Sequence, residues 1–67
     1  MRPTRADFHQ QNQASAEAEA LRLFEQKAVL GGGWLNWVAA QLYTLQPAEY
    51  ASMVRRELVR LQEISEN

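Results

Sequence analysis

Apolar residues along this chain recur at helical spacing. Leu35, Val38, Leu42 and Leu45 follow one another at steps of three, four and three residues, which keeps them on one stripe of a helix. Tyr50, Met53, Val54, Leu58, Leu61 and Ile64 form a second stripe that runs nearly to the C-terminus. Ahead of both, Ala14, Ala18, Leu21, Phe24 and Ala28 also recur at helical spacing. On a different side of that same segment lie Ala16, Leu23 and Leu30, with Phe8. A helix with apolar residues on two faces either sits centrally in a bundle or meets a second chain.

Every glycine and proline falls at one of three places: Pro3, Gly31 to Gly33, and Pro47. These residues are the strongest interrupters of regular structure. No stretch between them alternates apolar and polar residues with the β-branched content of a strand. The pattern therefore predicts an all-α domain spanning 14–67, with helices over about 14–30, 34–45 and 47–65. The expected fold is a helical hairpin or three-helix arrangement, completed by dimerisation. Residues 1–13 are polar and expected to fray. Thr4 with Asp7 three residues on is a weaker relative of the capping box, and Ser15 offers a later helix start. Glycine at the end of the first helix takes a left-handed conformation without steric cost. Pro47 and Glu49 suit the first and third positions of the last helix.

Length bears on what these helices must bury. The chain has 67 residues, no cysteine and one histidine, so neither a disulfide nor a structural zinc adds to the core. A single core of this size rarely supplies more than about 3–5 kcal/mol. Self-association as a homodimer is the expected supplement. The residues expected in the core or the oligomer seam are Leu21, Phe24, Leu35, Val38, Leu42, Leu45, Val54, Leu58 and Leu61.

Candidate chemistry is sparse. The single histidine, His9, lies in the polar N-terminal stretch, and Glu17, Glu19 and Glu25 read as surface charges on a helix. No nucleophile–base pair is legible, so no enzymatic activity and no cofactor are expected. The glycine run is followed by Trp34 rather than by the Lys and Ser/Thr of a phosphate-binding loop. Seven basic and eight acidic residues give a net charge of −1, unlike a dedicated nucleic-acid binder. From Ala28 to Ala48 no side chain is charged. Three glycines and the polar Asn36, Gln41, Thr44 and Gln46 nevertheless make that stretch poor transmembrane sequence. The first twenty residues have no apolar run of the secretory kind, and the expected location is cytoplasmic.

Aromatic and arginine side chains are the best functional lead, because Trp, Tyr and Arg dominate binding hot spots. Trp34, Trp37 and Tyr43 lie close together in sequence, and Arg55, Arg56 and Arg60 decorate the last helix. The two indoles either fill the core or meet a partner. The expected function is a non-catalytic protein–protein interaction module, a small regulator (inhibitor, anti-activator or adaptor) that binds a larger target protein. By size and shape alone it is comparable to small bacterial and bacteriophage regulators, an analogy that assigns no residues. A small helix-turn-helix-like DNA-binding regulator is the alternative, with Arg55, Arg56 and Arg60 meeting the nucleic acid. A peripheral membrane or complex-assembly subunit is a further one.

Overall fold

Thr4 starts the first helix. Its backbone N–H donates to Asp7 Oδ2 (3.0 Å), and the Asp7 backbone N–H donates to Thr4 Oγ1 (3.2 Å), so the box is reciprocal. The computed structural model describes residues 4–66. Helix α1 spans Arg5–Leu30, a 3-10 turn covers Gly31–Gly33, α2 spans Trp34–Thr44, and α3 spans Ala48–Glu66. No strand occurs among the described residues.

The helix thus starts well before the expected boundary at Ala14, and residues 5–13 belong to α1. Three contacts favour this over fraying. Phe8 packs against the core cluster, the Asn12 side-chain amide donates to the Phe8 carbonyl (2.8 Å), and Gln13 Nε2 donates to Glu57 Oε1 of α3 (2.8 Å). Pro3 lies outside the described residues. The first N–H groups of α3, from Tyr50 and Ala51, both donate to the Pro47 carbonyl. Pro47 therefore sits at the cap of α3, just before the first turn, where its missing N–H is of no consequence.

Two chain reversals put the helices side by side. Trp34 Nε1 donates to the Leu23 carbonyl (2.8 Å), which a helix continuing straight from α1 would carry far out of reach. At the other end of α2, Ala39, Leu42 and Tyr43 share a groove with Ala51, Ser52 and Arg55 of α3. The result is a three-helix arrangement in which α3 packs along α1. Ser15 and Tyr50 hydroxyls meet at 2.8 Å across that pair.

The core consists of Ala16, Ala20, Leu23, Trp34, Val38, Met53, Val54 and Leu58. Two alanines one turn apart on α1 let α3 approach closely, and Trp34 fills the space that opens beyond them. The buried face of α1 is therefore the one carrying Ala16 and Leu23. The stripe through Ala14, Ala18, Leu21 and Ala28 faces outward, with Leu21 47% exposed. Leu35 likewise lies outside the core at 69% exposure, while Phe24, Leu42, Leu45 and Leu61 pack against its edge. Val38, Val54 and Leu58 are buried as expected.

The molecule measures 45 × 26 × 13 Å, with a radius of gyration of 12.9 Å. A compact chain of this length would have a radius near 11 Å. The domain is a flat slab, and a slab leaves more of its helix faces uncovered than a sphere does.

Two expectations about stability follow. Trp34→Ala removes about 3–5 kcal/mol, comparable with all that a core of this size supplies. Urea unfolding should find that variant largely unfolded, whereas Trp37→Ala, half-buried at the core's edge, should stay folded. At the turn, Gly31 has φ +57° and ψ −126°, a combination that strains any residue with a Cβ. Gly33 has helical backbone angles, Gly32 lies in the same 3-10 turn without a positive φ, and both have open space where a Cβ would go. Gly31→Ala should lower the melting temperature by an amount equivalent to about 1–3 kcal/mol. Gly32→Ala or Gly33→Ala should raise stability by about 0.4–1 kcal/mol.

Candidate functional site on the α2–α3 hairpin

The groove between α2 and α3 is floored by small side chains. Ala39 faces it from α2, and Ala51 and Ser52 face it from α3, with Leu42, Tyr43 and Arg55 as its walls. Its volume is about 410 Å³, open to solvent. Tyr43, at 91% exposure, is the most exposed large apolar residue of the described chain. Leu35 stands one helical turn before Ala39 on α2, and Val59 one turn beyond Arg55 on α3. Leu35 is 69% and Val59 48% exposed. Exposed apolar side chains in a single line mark a contact surface more clearly than the same side chains scattered.

Electrostatics sort the arginines. Arg22 and Glu19 are paired by two hydrogen bonds, and Arg60 is held by Glu57 at 2.8 Å. The Arg22 hydrogen bonds hold the Glu19 carboxyl below its usual 4.5. The sign is that of a depressed acid: the pair's contribution is present above pH 4.5 and fades as pH falls through the lowered value. It is small, because both side chains reach solvent. These two are the ion pairs among the described residues. Arg55 and Arg56 have no carboxylate within 4.0 Å there, and both are exposed.

The residues singled out from the sequence therefore separate. Tyr43 and Arg55 are brought to one groove. Arg56 lies on the other side of Ser52, in a shallow hollow of about 190 Å³ with His9 and Glu49. Arg60 turns to Glu57. Trp37 packs against the core and does not line the groove. Trp34 cannot be offered to a partner: it is 2% exposed, with its indole N–H bonded to Leu23 and its ring edge-on to Phe24 at 6.3 Å. Lys27 stands over the same indole, 5.5 Å from the ring centroid, and closes the core at that end.

His9 is half-buried on α1 rather than in a loose tail, edge-on to Phe8. Among the described residues, no group of three His, Asp or Glu side chains is placed to hold a metal ion. No described helix is long and apolar enough to cross a membrane. Sequence reasoning passed over Ala39, Ala51 and Ser52, because small residues carry no chemistry of their own. Their signal is positional, on the outward faces of two helices that a short connection must fold together. No family model, curated protein or solved structure matches the chain.

Proposed function

We propose that the chain is a non-catalytic protein-interaction module, a small regulator that acts by occupying a surface of a larger target protein through its α2–α3 groove. The observation that carries this is Tyr43, almost fully exposed beside an unpaired arginine over an apolar floor. Leaving a tyrosine in that position has no benefit to the isolated fold, since its ring buries little there. Tyr and Arg at the mouth of an apolar groove are the residue types that anchor interfaces. Whether the target is inhibited or assembled is a property of the target.

Affinity capture from the native host, read by mass spectrometry, tests the reading. The double variant Tyr43→Ala, Arg55→Ala should retain its helicity and melting temperature, because neither side chain is in the core. It should also lose the partner that the parent chain retains. Equal capture by both proteins would refute the role of the groove.

A second reading, a small DNA-binding regulator, draws on the same unpaired Arg55 and Arg56. Against it stand Glu49 in the first turn of α3 and the engagement of Arg60 by Glu57. Titration with generic duplex at low salt decides, since phosphate contacts are strongest there. Micromolar binding would favour this reading over the first.

We assign the expected homodimer to the outer face of α1, where Leu21, Phe24 and Ala28 border a shallow apolar trough of about 650 Å³. That face is separate from the groove, so one chain can pair and bind a target at once. Sedimentation should give twice the chain mass for the parent and one chain mass for Leu21→Glu. A parent protein that remains monomeric at about 100 µM, where weak dimers of micromolar affinity are assembled, would remove the dimer.

A further inference from the structure

We infer that the occupant of the α2–α3 groove is an amphipathic helix from another protein, carrying a carboxylate at the middle of its apolar stripe. The inference rests on the interaction-module reading and adds the chemistry of the partner segment. Three features of the groove select it.

First, recognition must run through side chains. Both walls are α-helices whose backbone groups are hydrogen-bonded within the helix, and no described strand offers an edge to which an extended segment could add. Second, the floor is shallow and small. Ala39, Ala51 and Ser52 let a third helix lay its ridge between α2 and α3 at close range. The line from Leu35 past Ala39 to Tyr43 covers about two turns of α2, and Ala51, Arg55 and Val59 recur at the same four-residue spacing on α3. Apolar residues at i, i+4 and i+7 of a docking helix span that length.

Third, the charge is one-sided. Arg55 stands among apolar neighbours, and none of the six lining residues is acidic. A docking helix would exclude water from the guanidinium, which is tolerable only when a carboxylate comes with it. A second copy of this chain, related by a two-fold axis through the groove, would bring Arg55 towards Arg55 and supply no acid from this face. Charge complementarity therefore assigns the groove to a different chain.

The test uses the full chain, labelled with nitrogen-15, and three hydrocarbon-stapled helical peptides of 14 residues or so. Each has leucines at i, i+4 and i+7, and they differ only in a central Glu, Gln or Lys. With the Glu peptide, amide shifts should concentrate at Ala39, Leu42, Tyr43, Ala51, Ser52 and Arg55. Its dissociation constant should be at least about tenfold below that of the Gln peptide. Arg55→Glu should reverse the order, so that the Lys peptide binds best. Several outcomes overturn the inference: equal affinity for all three peptides, shifts centred away from the groove, or no binding at millimolar peptide. Groove shifts that grow with protein concentration alone would reassign the face to a second copy. Groove shifts induced by duplex DNA would reassign it to nucleic acid. Failure of the inference is distinct from failure of the module reading. If the Tyr43, Arg55 double variant still loses its captured partner while the peptides show no charge preference, the groove binds a protein of other chemistry.

Discussion

The hydrogen bond from the Trp34 indole to the Leu23 carbonyl is the constraint on which the rest of the fold depends. It joins the first residue of α2 to a point two turns before the end of α1, and so forces the chain to double back at the glycine turn. With α2 reversed, its short length returns the chain to the level of Ser15, where α3 begins and Tyr50 finds the Ser15 hydroxyl. The two alanines on α1 then bring α3 alongside. Lys27 over the indole and Phe24 against its edge seal the open end. A core of eight residues, one of them tryptophan, is close to the minimum for a chain without disulfide or metal.

That economy has a consequence for the surface. Three helices laid in a flat arrangement share one seam, and each keeps an outward face. On α1 this face is largely alanine with Leu21. On the α2–α3 hairpin it is Leu35, Tyr43 and Val59 around Arg55, which is neither polar enough to be ordinary surface nor covered by anything in the fold. Trp34 is buried and holds the fold, whereas Tyr43 is almost fully exposed and adds nothing to the core.

Much of the fold was legible in the sequence, because helix breakers and apolar stripes act locally. The glycine turn, the proline boundary and the stripe through Val54 and Leu58 all follow from spacing alone. What spacing did not decide was which of the two apolar faces of α1 turns inward. Leu21 and Leu23 are equally apolar, and the choice falls to a tertiary fact, the reach of the Trp34 indole to the backbone of Leu23. The choice between Thr4 and Ala14 as the start of α1 is open in the sequence for a related reason: residues 5–13 have little helix-stabilising packing of their own and are held by Thr4, Phe8 and a reach from Gln13 to α3. Of the candidate site, Tyr43 and Arg55 were legible as residue types, whereas the small floor between them emerges only when two helices are folded together. Trp34 and Trp37, alike in sequence, part company because the Trp34 indole is buried with its N–H on the Leu23 carbonyl, whereas Trp37 packs only at the core's edge.

Solvent paramagnetic relaxation on the free chain at low concentration decides whether one fold buries Trp34 and leaves the α2–α3 face uncovered. Strong relaxation is expected at Tyr43, Ser52 and Arg55, together with a protected Trp34 indole N–H. Comparable protection of Tyr43 and Trp34, or an indole N–H as accessible as the Tyr43 ring, would contradict it.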